Sequence, residues 1–142
     1  KFDLNSLTME YRNSAQREEY GTRNTPITLG LGAAIDFINT IGIENVAKRG
    51  RELVTRFRKG IKDNSNIEIL TPESEDYSAS MITVRIKGKD NLKLNPELNQ
   101  TKKLRMRGIY ENNINGIRIS FALFNSFDEV DVLVNSLIEA SK

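Results

Sequence analysis

Residues 80–87 alternate well between apolar and polar faces, and this constrains what the chain can fold into. Ile82, Val84 and Ile86 fall on one face, and Met81, Thr83 and Arg85 on the other. That is the pattern of a strand buried on one side only. Residues 67–70, 109–110 and 117–122 read as further short strands. Helical patterns surround them. Residues 27–41 carry Ile27, Leu31, Ala34, Ile38 and Ile41 at helical spacing, and Gly30, Gly32, Ala33 and Ala34 thin one side, which invites close packing. Residues 44–62 set Val46, Gly50, Leu53, Val54, Phe57 and Ile61 on one stripe. Asn95 and Pro96 suit a third helix start, with a stop at Gly108. Ser126 with Glu129 forms a capping box, and Val130, Leu133, Val134, Leu137 and Ile138 give that helix its apolar face. The order is helix, helix, strand, strand, helix, strand, strand, helix. It predicts an α+β fold, a small and mostly antiparallel sheet covered by helices on one face.

At 142 residues the chain can bury one core. Residues 1–16 are polar and weakly patterned and read as a lead-in segment; residues 17–142 hold the patterned domain. The 21 basic and 19 acidic residues nearly cancel, which argues against a dedicated nucleic-acid binder. There is no cysteine and no histidine. A disulfide, a thiolate metal site, a cysteine nucleophile and an imidazole base are therefore all excluded within this chain. Glu18-Glu19 and Glu73-Ser74-Glu75-Asp76 read as solvated loop charge, not as a metal site. No apolar run approaches the roughly 18 residues that span a membrane, and no signal-like pattern opens the chain. The expectation is a cytoplasmic protein that neither enters membranes nor binds nucleic acid.

Lys48, Arg49, Arg51, Arg56 and Arg58 lie mostly off the apolar stripe of the second helix. They form either a solvated face, with Glu52 and Arg56 placed for an i,i+4 pair, or a surface that docks an acidic partner or RNA as a stand-alone module.

Two constellations can carry chemistry. The first is Glu19-Tyr20-Gly21-Thr22-Arg23-Asn24-Thr25-Pro26, a polar loop that enters a helix. A helix start offers unpaired N–H groups and a partial positive charge. Gly21, the Thr22 hydroxyl and the Arg23 guanidinium equip this one to hold an anion such as phosphate. An ordinary helix entry, with Thr25 as cap and Pro26 at the first position, explains the same residues. The second is Gly116-Ile117-Arg118-Ile119-Ser120-Phe121, which puts a cation inside an apolar strand. Arg118 points away from the face of Ile117 and Ile119. Such a charge needs a partner, and its planar fork suits a carboxylate. The partner is either a structural Asp or Glu of this chain or a bound carboxylate.

Taken together, the chain resembles the C-terminal part of class V aminotransferase-like enzymes, which depend on pyridoxal phosphate. The likeness rests on the Gly-Thr loop with Gly30-Leu31-Gly32-Ala33-Ala34-Ile35-Asp36-Phe37, on Ile41-Gly42-Ile43-Glu44-Asn45-Val46, and on Gly116-Ile117-Arg118-Ile119-Ser120 with Phe124-Asn125-Ser126 and Glu129-Val130-Asp131. The resemblance implies that residues 17–142 are the small domain of such an enzyme, with a fold like the C-terminal domain of fold-type I enzymes. It implies that Gly21 and Thr22 reach the cofactor phosphate of a neighbouring subunit in a homodimer. Arg118 matches the carboxylate-binding arginine of kynureninase-like members. The Gly-Thr-Arg form looks like the isopenicillin-N-epimerase-like branch and makes Arg23 a second substrate contact.

The cofactor-bearing lysine of the family lies upstream, in a large domain absent from this chain, so the domain alone is expected to be inactive. The family's cysteine desulfurases carry a nucleophilic cysteine in a loop that matches residues 106–115, where this chain has none. That favours an epimerase, aminotransferase, lyase or kynureninase-like activity on an amino acid.

Overall fold

The structure is a computed structural model that describes residues 2–11, 13–18, 21 and 24–142. The chain forms two compact units, Lys1–Thr40 and Ile41–Lys142.

The first unit opens with a small antiparallel hairpin, β1 (Phe2–Asp3) against β2 (Thr8–Met9). The Asp3 carboxylate accepts the Asn5 N–H at 2.9 Å and tightens its turn. A 3-10 turn spans Ala15–Glu18, and α1 follows over Thr25–Ile41. The cap of α1 is Asn24, not Thr25: its side-chain oxygen accepts the Ile27 N–H at 3.2 Å. The helix begins two residues before the apolar pattern does, because the cap and not the pattern sets its start. No residue of α1 is buried. A Cβ added at Gly30 or Gly32 would meet nothing within 4 Å. The close packing suggested by its small residues is not made among the described residues.

The second unit holds a four-stranded antiparallel sheet. Its strands are β3 (Ile67–Ile69), β4 (Met81–Ile86), β5 (Arg107–Ile109) and β6 (Gly116–Ser120), in the order β3-β4-β6-β5. Three helices, α2 (Ile43–Ile61), α3 (Asn91–Lys102) and α4 (Phe127–Ala140), supply the rest of the core. The alternation seen in the sequence fixes which face they cover. Ile82, Val84, Ile86, Ile117 and Ile119 are buried together with Leu53 and Phe57 of α2, Leu98 of α3 and Leu133 and Leu137 of α4. Gly50 lets α2 come close to the sheet, since a Cβ there would sit 2.6 Å from the Ser80 Cβ. The fold is α+β with helices on one face of the sheet, as the sequence predicts.

Local choices differ from the expectation in two helices. Asp90 caps α3, taking the Leu92 and Lys93 N–H groups at 3.2 Å each, and Pro96 lies inside the helix. The helix ends at Lys103, in the left-handed region at φ 59°, well before Gly108. Asn91 anchors this early start. It is fully buried, accepts the Ile86 N–H and donates to the Ile86 and Lys89 carbonyls. In α2, Arg56 pairs bidentately with Asp131 of α4 at 2.8 and 2.6 Å, not with Glu52. Glu52 lies 3.6 Å from Arg49. The capping box of α4 is present as predicted, with Ser126 and Glu129 exchanging bonds. Among the described residues no single helix is long and apolar enough to cross a membrane.

Candidate functional site

Opposite the helices, the sheet presents the alternate residues of its strands. The register sets Thr83 and Arg107 on either side of Arg118, so the three side chains share that face. Arg85 and Glu68 are likewise paired across β3 and β4. The face is therefore rich in guanidinium groups, and their fates differ.

Arg85 is fully engaged. It donates to the Ile114 carbonyl through two nitrogens, at 3.1 and 2.6 Å, and meets Glu68 at 3.3 Å. Arg107 forms an ion pair with Glu111. The Glu111 carboxyl is held below its ordinary range, first by its own backbone N–H and also by the Arg107 guanidinium. Arg118 has no such acid. Its Nε is buried and bonds to nothing, and no described residue forms a salt bridge with it. Of the two partners considered for this arginine, an internal Asp or Glu is not found within 4 Å among the described residues.

Arg118 borders a hollow of about 420 Å³ lined also by Thr71, Asp76, Tyr77, Ser78 and Thr83. The loop that builds its far wall is tied down at its start. The Thr71 hydroxyl accepts the Thr83 N–H at 2.8 Å, and Arg58 donates to the carbonyls of Thr71 and Pro72 at 2.8 and 2.6 Å. This wall has no motif in the sequence; only the arginine drew attention to it. The next turn is also held open by asparagines. Asn112, Asn113 and Asn115 all have positive φ. The Asn115 side chain takes the Asn91 N–H at 2.9 Å, joining the start of β6 to the start of α3.

The first constellation is described only in part. Gly21 is exposed, with open space where a Cβ would stand. Thr22 and Arg23 lie outside the described residues. The basic face of α2 is largely used internally. Arg49 donates to the Asn125 carbonyl at 2.8 Å and lies over the Phe127 ring at 4.4 Å, while Arg56 and Arg58 are engaged as described.

An arginine with no ion-pair partner among the described residues, on the sheet face opposite α2, α3 and α4, has the chemistry to receive a small acid. Residues 2–133 match the sequence model of the Aminotransferase class-V family, and the chain belongs to that family, whose members are pyridoxal-phosphate enzymes. A probable cysteine desulfurase of Pyrococcus abyssi is 30% identical over 135 residues, covering 89% of this chain and 33% of the relative. The apo cysteine desulfurase of Thermococcus onnurineus superposes with a TM-score of 0.79 at 20% identity, over 99% of this chain and 36% of that one. A variant of C-DES, solved with glycine covalently linked to its pyridoxal-phosphate cofactor, has a TM-score of 0.69 at 15% identity, over 98% and 35%. The chain thus spans about a third of the length of these relatives.

Proposed function

We propose that residues 17–142 are the small domain of a pyridoxal-phosphate enzyme that acts on an amino acid, with residues 1–16 as its lead-in. In this reading Arg118 holds the substrate carboxylate. The observation that carries it is the buried Arg118 Nε without a partner, beside a hollow on the sheet face opposite α2, α3 and α4. Arg118 is half-buried, and a buried donor without a partner is costly; a carboxylate in the hollow would give the guanidinium a charge-assisted partner.

Gly21 is compatible with the cofactor's phosphate and Arg118 with the substrate's acid. The open surroundings of Gly21, at the head of a 17-residue helix, fit a phosphate that approaches from outside the domain. Thr22 would supply a hydroxyl to it, across a homodimer, and Arg23 a second contact to substrate. When bound, pyridoxal phosphate withdraws electron density from the substrate α-carbon. Arg118, by fixing the carboxylate, orients the substrate and so decides which α-bond is aligned for cleavage. The lysine that carries the cofactor would come from an upstream large domain, and the isolated domain would be inactive.

Within the family, the reading favours an epimerase, aminotransferase or lyase. Its support is that no cysteine occurs in the chain, so residues 106–115 offer no sulfur nucleophile. Glu111 stands in that segment instead, tied to Arg107. The test is to express the intact polypeptide and follow cofactor absorbance while titrating amino acids. Spectral change with amino acids, lost in Arg118→Ala, supports the assignment. The same affinity in that variant rejects it.

A further inference from the structure

A second hollow, of about 480 Å³, adjoins the one at Arg118, and Thr71, Tyr77 and Thr83 line both. The other walls of the second hollow are Leu70, Pro72, Ile109 and Ile114, with Arg85. Two side chains on one face of a strand lie about 7 Å apart along it. Gly116 occupies that next position after Arg118 on β6 and pairs with Ile109. A Cβ at Gly116 would come within 3.1 Å of Thr83 and 3.2 Å of Ile114, so its missing side chain leaves this crowded junction free.

The polarity of the two ends differs. At one end stands Arg118, without an ion-pair partner among the described residues, in a hollow that Asp76 also lines. At the other, the single cation, Arg85, has its donors taken by the Ile114 carbonyl and Glu68. That end offers apolar walls and no free charge. For a ligand with its acid at Arg118, the adjoining apolar surface is the one formed by Leu70, Pro72, Ile109 and Ile114.

We propose that this trough receives an α-amino acid with a bulky apolar or aromatic side chain, its carboxylate at Arg118 and its side chain among Leu70, Pro72, Ile109 and Ile114, beside the Tyr77 ring. The inference rests on the reading of Arg118 as the carboxylate anchor and adds the substrate class. Gly116, whose position lies about 7 Å along β6 from that of Arg118, pairs with Ile109 at the apolar end. Burial against those walls favours such a side chain over the methyl of alanine. A charged side chain there would be desolvated without a partner.

The test uses the intact polypeptide loaded with pyridoxal phosphate. L-phenylalanine, L-leucine, L-alanine and L-aspartate are titrated at equilibrium, with cofactor absorbance as the readout. Phenylalanine or leucine is expected to bind at least about tenfold tighter than alanine, and aspartate more weakly still. Tyr77 is 77% exposed, so Tyr77→Ala leaves the core untouched; it should cut the affinity ratio of phenylalanine to alanine several-fold. Ile109→Ala should do the same for leucine. Equal binding of alanine by the wild type, or an unchanged preference in both variants, overturns the proposal. Arg118→Ala separates the two levels. If it weakens all four ligands while the side-chain preference is absent, only the substrate class is wrong. If it weakens none, the carboxylate anchor itself is wrong.

Discussion

Arg107 and Arg118 stand opposite each other on adjacent strands, and only Arg107 has an acid to answer it. Like charges placed directly across a sheet are unfavourable. Glu111 relieves one member of the pair and leaves the other beside a hollow lined by hydroxyls, an aromatic ring and Asp76. On the proposed reading of Arg118 as a carboxylate anchor, this arrangement trades stability of the empty domain for anion affinity, as binding sites commonly do.

Arg118→Met separates binding from stability. In the intact protein, amino-acid affinity should fall roughly 10- to 100-fold, the worth of a charge-assisted hydrogen bond. The thermal midpoint should stay the same or rise, because a like-charge neighbour and an unbonded buried Nε are removed together. A drop of several degrees with unchanged affinity would mark the arginine as structural.

Thr22→Ala addresses the proposed phosphate contact. Cofactor retention after dialysis, followed by absorbance, should be reduced, with the α1 helix content unchanged by circular dichroism. Retention equal to that of the wild type would remove the phosphate role.

Asn91→Ala should be among the more damaging single changes. The side chain is fully buried and makes three hydrogen bonds to the backbone of residues 86 and 89. Its loss leaves the Ile86 N–H and carbonyl without these partners inside the fold. The expected cost is about 2–4 kcal/mol, read from the shift in urea midpoint at constant slope. A change below about 0.5 kcal/mol would contradict this account.

Acid should loosen the helix pairings before the core. Asp131 is held below the ordinary carboxylate range chiefly by its hydrogen bond from Arg56. Glu129 is held down first by the Ser126 N–H and then by the Asn125 side chain, and Glu139 by Lys102. Each folded-state value lies below the unfolded one. Their contribution is therefore complete above the unfolded carboxylate range and is lost as pH falls through the folded values. The thermal midpoint should be flat from neutrality to about pH 5 and fall below it. Salt should weaken the Asp131 and Glu139 part, which is solvent-exposed pairing. A midpoint that rises on acidification would refute this.

Much of the fold was legible in residue order. The alternation of residues 82–86 and 117–119 placed the core face of β4 and β6, and the Ser126–Glu129 box placed the start of α4. The errors came where two local signals competed. Asp90 and Asn95-Pro96 both offer a helix start, and Asp90 prevailed because Asn91 then fills a buried position against Ile86. Arg56 had Glu52 one turn away, yet the packing of α2 on α4 brought Asp131 into bidentate reach. Arg118 stood out in the sequence as a cation between isoleucines. The wall that faces it did not, since Tyr77 and Thr71 belong to a loop with no periodicity.

The sequence by itself determined which residues face inward, because side-chain direction in a strand or helix follows from backbone period alone. It also determined what chemistry the chain lacks, since missing sulfur and imidazole cannot be supplied by folding. Only the tertiary structure decided which charges are satisfied. Three arginines on one sheet face are equivalent in a sequence, and it took the register of β5 on β6 and the course of residues 111–115 to give acids or carbonyls to two of them. Electrostatic partnership depends on distances of a few ångströms between residues far apart in the chain, and those distances exist only after the sheet has formed.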